Sequence, residues 1–307
     1  MHVPGRCNLT LSEPACHHRA VFIAPQVPSH AREAPHGDHW IHEIKHDGFR
    51  TMFFIEHGKA RAFTRNGYDW TGQYGPIVKA CAGIACRSAL IDGEVVVEDE
   101  NGVSDFDALP WAIKHDPQRL VFFAFDLLHL DGVDLRTREL VDRRTKLTGL
   151  IEPSFPLRFS EGFEGNGPEF FAAAVKHGLE GIVSKLATSR YRSGPSRNWL
   201  KIKNVVETDF VLLGLERDSE GRAFAHVARE NSDRLEYAGM AFMIFGEKVY
   251  RELSEKVEAL AIRQCALKAL MRPRATWLRP QIKVRVRHLK NGTGLRHASV
   301  RGLAGQG

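Results

Sequence analysis

The order of hydrophobic and polar residues changes twice along the chain, and each change predicts a different kind of element. From residue 21 to about residue 204, short apolar runs end at Asp-Gly or His-Gly turns, as strands do. Between these runs, apolar residues recur at helical spacing over residues 75–85, 106–113, 138–150 and 168–177. Strands and helices mixed in this way indicate an α+β domain.

A second unit is predicted to begin near residue 205. The segments DFVLLGLE, AFAHVARE and RLEYAGMAF are typical of short strands, and residues 247–262 of one amphipathic helix. The segment QIKVRVRHLK then alternates strictly between apolar and basic residues, which predicts a half-buried strand with one charged face. Several short strands with one helix predict a small β-barrel such as an OB-fold. We therefore predict a flexible lead over 1–20, an α+β domain over 21–204 and an OB-fold barrel over 205–307.

Composition narrows the class of protein. The chain has 307 residues, of which 43% are hydrophobic and 26% charged, which excludes a disordered chain, a collagen-like chain and a disulfide miniprotein. No run reaches the ~18 apolar residues of a membrane helix, so we expect no membrane association. The first twenty residues lack the apolar core of a signal peptide, and five cysteines favour a reducing compartment over a disulfide framework.

The positive charge is concentrated near the C-terminus. The formal net charge is +6, yet eleven Lys or Arg and no Asp or Glu lie from Arg263 onward. The other 262 residues carry 32 basic and 37 acidic side chains, a net of −5. A patch of one sign predicts a polyanionic partner such as nucleic acid, and a solvated cationic surface is the alternative.

Side chains that could take part in catalysis or binding lie at the ends and on the faces of the predicted strands. Six segments carry them, in the order EIKHDGFR (43–50), AFTRNG (62–67), LIDGEVVV (90–97), FAFDLL (123–128), EGIVSK (180–185) and WLKIK (199–203). Lys201 and Lys203 point to the same strand face, because residues two apart do so in a strand. Taken singly, K-x-D-G is a common surface turn, each glutamate could be a surface charge, and Phe125 could belong to the core.

Taken together in this order, the segments resemble the covalent nucleotidyltransferases, and most closely the ATP-dependent DNA ligases of the bacterial end-joining type. The resemblance runs from about Phe22 to Leu303. It implies a nucleotidyltransferase (ATP-grasp-like) domain followed by the OB-fold domain. It also implies a DNA ligase that uses ATP, with Mg²⁺ or Mn²⁺, to seal nicks between a 5′-phosphate and a 3′-hydroxyl during DNA repair.

The resemblance assigns a role to each candidate residue. Lys45 is the expected nucleophile that takes AMP from ATP, and the cations of Lys201 and Lys203 would lower its pKa and neutralise the α-phosphate. Glu94 and Glu180 would bind the ribose and the metal. Phe125 would stack on adenine. The remaining nucleotide-binding residues are Glu43, Arg50, Arg65, Lys185 and Arg296, with Arg296 and Arg301 as the candidates that orient pyrophosphate.

The resemblance also implies partners and leaves rivals open. Nicked double-stranded DNA is the expected substrate of a monomer in the bacterial cytoplasm, associated with the nucleoid. A Ku-type end-binding protein and a separate repair polymerase are the implied partners in end joining and recombination. An RNA ligase or a capping guanylyltransferase is the rival within the same superfamily. A ligase-derived DNA-binding protein without catalysis is the rival from another class, because relatives usually continue past residue 303 with an Arg and an Asp-Lys pair.

Overall fold

The computed structural model describes residues 22–305, except 153, 232–233, 244–246, 268–269, 271, 273 and 291–293. The lead predicted over residues 1–20 lies outside the described residues. The described residues form three β-sheets with helices packed against them, so the predicted α+β class is confirmed. None of the described helices is long and apolar enough to cross a membrane.

The first part of the chain contains two of the sheets. Its strands are β1 (Gln26–His30), β2 (Trp40–Ile44), β3 (Phe49–Glu56), β4 (Lys59–Thr64), β5 (Ser88–Val97), β6 (Leu120–Leu130), β7 (Val133–Asp134), β8 (Leu157–Phe159), β9 (Gly162–Glu164), β10 (Gly181–Leu186) and β11 (Gly194–Lys203). Its helices are α1 (Gly75–Ala82), α2 (Leu109–His115), α3 (Leu140–Leu150) and α4 (Gly167–Lys176). One sheet has the order β1-β11-β10-β2-β9, and the other has the order β4-β3-β5-β6-β7 with β8 beside β6.

The two sheets pack against each other. Phe53, Ile91 and Phe122 are fully buried on the side of the second sheet that faces α1 and α2. On its other side, Met52 and Leu90 meet Trp199 and Ile41 of the first sheet in a second apolar cluster. The central strands β5 and β6 are therefore buried on both faces, which explains their nearly continuous apolar sequences.

The second part of the chain forms the third sheet. Its elements are β12 (Val205–Arg217), β13 (Ala223–Asn231), β14 (Arg234–Met243), α5 (Glu247–Leu260), β15 (Ala261–Ile262), β16 (Thr276–Leu278), β17 (Lys283–Leu289) and β18 (Ser299–Leu303). The strand pairings run in a ring from β12 through β13, β14, β18 and β17 back to β12. This arrangement fits the predicted OB-fold type.

The charged strand β17 alternates as predicted, but its cations are partly neutralised. Val284 and Val286 are buried, whereas Lys283 and Arg287 are exposed. Lys283 Nζ lies 2.6 Å from a carboxylate oxygen of Glu230, and Arg285 Nε donates to Asp209 over 2.9 Å. The earlier, acidic part of the chain therefore supplies counter-charges to the basic C-terminal part, which the sequence count could not reveal.

Candidate active site

A cavity of about 340 Å³ opens where the two N-terminal sheets meet the third sheet. Its lining includes ten of the residues singled out in the sequence: Glu43, Lys45, Arg50, Arg65, Glu94, Phe125, Lys185, Lys201, Lys203 and Arg296. Glu180 lines a neighbouring cavity of about 850 Å³, which also contains Lys45. Side chains that are up to 253 positions apart in the sequence, from Glu43 to Arg296, thus meet at one place.

Lys45 lies just after β2 and is held at both its backbone and its side chain. Its backbone N–H donates to the carbonyl oxygen of Gly181 over 3.0 Å, and its Nζ forms an ion pair with Glu180. The other oxygen of Glu180 lies 3.0 Å from Lys203 Nζ. Burial alone would raise the pKa of Glu180, but the two lysine cations lower it, so this carboxylate is charged.

Two glycines are required by how closely the chain approaches itself here. A Cβ on Gly48 would lie 2.1 Å from the carbonyl oxygen of Val95. A Cβ on Gly181 would lie 2.1 Å from the carbonyl oxygen of Ile202, and Gly181 also has a positive φ of 147°. Any larger residue would push the Lys45 turn, or the start of the strand that follows Glu180, away from the cavity. The glycines in K-x-D-G and E-G are therefore needed for packing.

Arg50 is fixed by a buried carboxylate and stacked on two aromatic rings. Its Nε and Nη2 donate to the two oxygens of Asp92 over 2.8 and 2.6 Å. Its guanidinium carbon lies 4.8 Å from the centre of the Phe125 ring and 5.4 Å from that of Trp199. Phe125 is only 8% exposed, so part of the ring surface predicted to stack on adenine already contacts cations.

Lys185 lies at the floor of the cavity, beside two aromatic rings and a buried carboxylate. Its Nζ is 4.2 Å from the centre of the Phe125 ring and 2.8 Å from Glu43 Oε1. Burial lowers its pKa to about 8, although Glu43 acts in the opposite direction. Glu43 also pairs with Arg144 and accepts a hydrogen bond from Ser160. Glu43 lines the cavity, but its oxygens contact Lys185, Arg144 and Ser160, so its predicted contact with the nucleotide stays a prediction.

Glu94 faces the cavity from the centre of the second sheet. It lies opposite Arg50 on β3 and opposite Phe123 on β6. Burial raises its pKa to about 7, and the carboxylates of Asp92 and Glu180 act in the same direction, against the cations of Lys45 and Arg50. Within the described residues, the Glu94 carboxylate accepts no hydrogen bond. A cation or a hydroxyl group of a bound ligand would satisfy it.

No group of three or more metal-ligating side chains lies together among the described residues. Glu94 and Glu180 are nevertheless close enough to affect each other electrostatically. Mg²⁺ commonly uses one or two protein carboxylates and completes its shell with water and substrate phosphates. The two glutamates therefore fit such an ion only together with a phosphate-bearing ligand.

The remaining cations lie around the mouth of the cavity. Burial lowers the pKa values of Lys201 and Lys203; for Lys201, the neighbouring cations of Lys203, Lys45 and Arg65 add to the effect. Arg65 directly follows the end of β4, as the sequence predicted. Such a concentration of positive charge matches a polyphosphate.

Arg296 connects the third sheet to the Lys45 turn. It donates two hydrogen bonds to the carboxylate of Asp47, one of them over 2.7 Å, and its guanidinium carbon is 4.2 Å from the centre of the Phe106 ring. Its neighbour His297 also lines the cavity and has a positive φ of 50°. Arg301, the second candidate for this role, lies 3.9 Å from Glu207 and does not line the cavity.

Several residues of the site were not singled out from the sequence. Asp92 and Trp199 fix Arg50, and Asp47 binds Arg296. Asp47 and Asp92 belong to the segments quoted above, so each could have been proposed as a partner for an arginine. Arg144 could not, because an arginine on a helix is ordinarily assigned to its exposed face.

The sequence of this chain is similar to those of known DNA ligases. A family profile described as ATP dependent DNA ligase domain matches residues 23–203. The multifunctional non-homologous end joining protein LigD of Pseudomonas aeruginosa is 35% identical over 299 residues, which cover 92% of this chain. The chain spans only about a third of that protein's length, 35%.

A relative that is shorter than LigD and a solved structure also indicate similarity to DNA ligases. The SPbeta prophage-derived DNA ligase-like protein LigB of Bacillus subtilis is 30% identical over 198 residues, which cover 63% of this chain and 72% of LigB. The structure of a mycobacterial DNA ligase D complexed with ATP and MES matches with a TM-score of 0.57 and 28% identity. That match covers 92% of this chain and 95% of the other, so it includes all three sheets.

Proposed function

The chain belongs to the ATP-dependent DNA ligase family, and from that premise we propose that it seals 5′-phosphate/3′-hydroxyl nicks in double-stranded DNA through a lysyl-AMP intermediate. One observation carries the proposal. Lys45 is held by Glu180 at the edge of a cavity lined by Lys201, Lys203, Arg65 and other cations. A nucleophilic amine beside a polyphosphate-binding cavity is what nucleotidyl transfer requires.

The proposed reaction has three steps. Lys45 Nζ, once deprotonated, attacks the α-phosphorus of ATP; an N–P bond forms and the P–O bond to pyrophosphate breaks. An oxygen of the 5′-phosphate at the nick then attacks the phosphorus of the bound AMP; a P–O–P bond forms, the N–P bond breaks, and Lys45 Nζ leaves as an amine that takes up a proton. Finally the 3′-hydroxyl attacks that 5′-phosphate, and AMP leaves as the new phosphodiester forms. Lys201 and Lys203 stabilise charge on the phosphate in the first step.

We propose that Mg²⁺ or Mn²⁺ assists, held by Glu180 and Glu94 together with ATP phosphates. Such an ion supplies positive charge to the phosphate oxygens during transfer. Within the protein, Glu180 holds Lys45 and Lys203 in place through its two oxygens. Glu94 is suited to bind either the ion or a ribose hydroxyl, because burial leaves its carboxylate in need of a partner.

The floor of the cavity presents hydrogen-bond donors. The indole N–H of Trp199 is buried with no acceptor among the described residues, and Lys185 Nζ lies 4.3 Å from the centre of the same ring. Adenine and guanine both carry ring-nitrogen acceptors for such donors, so these two groups suit a purine without choosing between the two bases. The match to the ATP dependent DNA ligase profile is what favours an ATP-dependent ligase over a capping guanylyltransferase.

The setting of the enzyme is also a proposal. We propose two domains that meet at residues 204 and 205, because β11 ends at Lys203, β12 begins at Val205, and no pairing between described strands joins their sheets. The end-joining names of the LigD relatives support nicked or broken DNA as substrate in repair. A Ku-type partner, a separate polymerase, a monomeric state and a nucleoid-associated, cytoplasmic location remain expectations from the family.

The proposal is tested with α-³²P-ATP and Mg²⁺, followed by a denaturing gel and then by nicked substrates. A labelled band near 34.5 kDa that disappears when nicked DNA is added, with a sealed product, would support it. Labelling of the protein by GTP would favour a capping-type enzyme. Sealing of an RNA nick, without sealing of a DNA nick, would favour an RNA ligase. If the protein neither becomes labelled nor seals a pre-adenylylated nick, the result would favour a non-catalytic DNA-binding protein.

Replacing Arg296 with alanine is expected to slow adenylylation by about 10²-fold, because the variant loses a charged donor at the cavity and the link to Asp47. Sealing of a pre-adenylylated nick should change by less than about threefold, since no pyrophosphate leaves in that step. Rapid-quench measurements of each step check this. Arg301→Ala, on the neighbouring strand, is the matched control, and an equal loss in both variants would contradict the role of Arg296.

The KM for ATP is expected to rise as pH increases through 8. Burial lowers the pKa of Lys185 to about 8, so its cation is present near neutral pH and is lost above pH 8. At pH 9 only about a tenth of the side chains are charged, which would raise KM by up to about tenfold. Lys185→Gln should have a high KM that varies little with pH, whereas Lys176→Gln, an exposed lysine on α4, should behave like the original protein. The same alkaline rise in Lys185→Gln would rule out this explanation.

A further inference from the structure

A buried tyrosine lies behind Arg50. The hydroxyl of Tyr191 donates a hydrogen bond of 2.7 Å to Asp92 Oδ2, the same oxygen that accepts from Arg50 Nη2 over 2.6 Å. Tyr191 is 5% exposed and Asp92 is fully buried. Neither position was predicted from the sequence to take part in the site, and Tyr191 does not line the cavity.

The direction of each hydrogen bond is determined. The backbone N–H of Gln26 donates to the Tyr191 oxygen over 3.0 Å, which leaves the hydroxyl hydrogen for Asp92. Asp92 then accepts from Tyr191 and twice from Arg50. Burial and the charge of Asp92 raise the pKa of Tyr191, so its hydroxyl stays protonated and remains a donor.

This arrangement fixes the plane of the Arg50 guanidinium. Two of its five N–H hydrogens are used by Asp92, and the remaining three have no acceptor among the described residues. The Tyr191 ring packs edge-on against Trp199, with the ring centres 5.9 Å apart, and Arg50 stacks on Trp199. Tyr191 thus contacts both Asp92, whose carboxylate orients Arg50, and Trp199, on whose ring Arg50 stacks.

We propose that Tyr191 is a positioning residue for the nucleotide, which acts through Asp92 to aim the free donors of Arg50 at an acceptor of bound ATP. The inference rests on the proposed function, because it needs a nucleotide in the cavity. The acceptor is either a ribose hydroxyl or a phosphate oxygen. Tyr191 takes part in binding and not in the chemical steps, so it should affect KM and leave the maximal rate unchanged.

The test is Tyr191→Phe, which keeps the ring and removes only the hydroxyl. The KM for ATP in adenylylation is expected to rise about three- to tenfold, with a saturated rate within about twofold of the original. Tyr74→Phe is the matched control, because Tyr74 is also fully buried in the same part of the chain, does not line the cavity and is hydrogen-bonded to neither Asp92 nor Arg50. The KM of Tyr74→Phe for ATP should not change.

Two further measurements separate positioning from a structural role. In an Arg50→Lys background, where the two bonds to Asp92 cannot form together, adding Tyr191→Phe should change KM by less than about twofold. Deoxy-ATP analogues identify the acceptor: the penalty for the missing 2′- or 3′-hydroxyl should shrink in Tyr191→Phe if Arg50 binds that hydroxyl, and stay equal if it binds phosphate.

The outcomes are distinguishable. An unchanged KM in a folded Tyr191→Phe, a loss confined to the saturated rate, or independent effects of Tyr191→Phe and Arg50→Lys would each overturn the positioning role. Thermal melting reports whether Tyr191→Phe is folded. If it is not folded, the KM for ATP of Asp92→Asn is compared with that of Arg50→Lys. Equal increases in the two variants support the chain of contacts, and an unchanged KM in Asp92→Asn refutes it. If the original protein forms no adenylyl adduct, the proposed function itself fails.

Discussion

Replacing Lys45 with alanine is expected to remove the covalent adenylyl adduct, with a loss of at least ~10³-fold in its rate of formation, because the variant lacks the amine that forms the N–P bond. Incubation with α-³²P-ATP and a denaturing gel measures the adduct. Lys203 still pairs with Glu180 when Lys45 is absent, so the carboxylate keeps a counter-charge and the fold should survive.

Two controls make the result specific. Lys45→Arg retains a cation beside Glu180 but stays protonated at any working pH, so it should be equally inactive. Lys59→Ala removes an exposed lysine at the start of β4 and should leave labelling intact. Lys45→Ala should still seal a pre-adenylylated nick, since that step no longer needs the lysine as a nucleophile. A labelled adduct in Lys45→Ala would disprove the assignment.

Replacing Asp126 with asparagine is expected to lower the free energy of unfolding by about 3–5 kcal/mol, because it leaves a buried cation without a counter-charge. Asp126 and Arg143 are both fully buried. Arg143 donates to both oxygens of Asp126 over 2.7 and 2.8 Å and to the carbonyl oxygens of Arg138 and Ser189. Together these contacts join β6 to α3 and to the loop that carries Tyr191.

Denaturant unfolding, with the midpoint and slope compared between variants, measures this loss. Asp134→Asn is the matched control, because Asp134 forms an equivalent pair with Arg136 in the exposed part of the same region, and it should cost less than ~1 kcal/mol. Adding Arg143→Met to Asp126→Asn should recover part of the loss, since the unpaired cation is removed as well. Equal costs for Asp126→Asn and Asp134→Asn would refute the role of the buried pair.

Local sequence patterns were reliable where one strand or one turn contains the whole signal. The alternation of β17 and the apolar runs of β5 and β6 were predicted because a strand's two faces are visible in its own sequence. Helix boundaries were less accurate. The helix predicted over 106–113 begins at Leu109, with Pro110 in its first turn, because that turn does not need the N–H that proline lacks.

Contacts between distant segments were beyond the reach of such patterns. Helix α3 turns two arginines inward, Arg143 towards Asp126 and Arg144 towards Glu43, although arginines on a helix normally predict an exposed face. Each is buried because a carboxylate from a distant strand faces it. The partner of Arg296 was hidden for the same reason, since Asp47 lies 249 positions away.

The sequence alone determined which residue types are present at the ends of the strands, and hence the candidate nucleophile, the lysine pair and the cavity glutamates. Short-range stereochemistry is sufficient for this, because turns and strand faces depend on neighbouring residues. Only the tertiary structure decided which charges are available to a ligand. The carboxylates of Glu43, Asp47 and Asp92 are bound by protein cations, whereas Glu94 accepts no hydrogen bond in the part of the chain that the structure describes. Electrostatic pairing depends on distances of a few ångströms across the fold, and the linear sequence does not contain those distances.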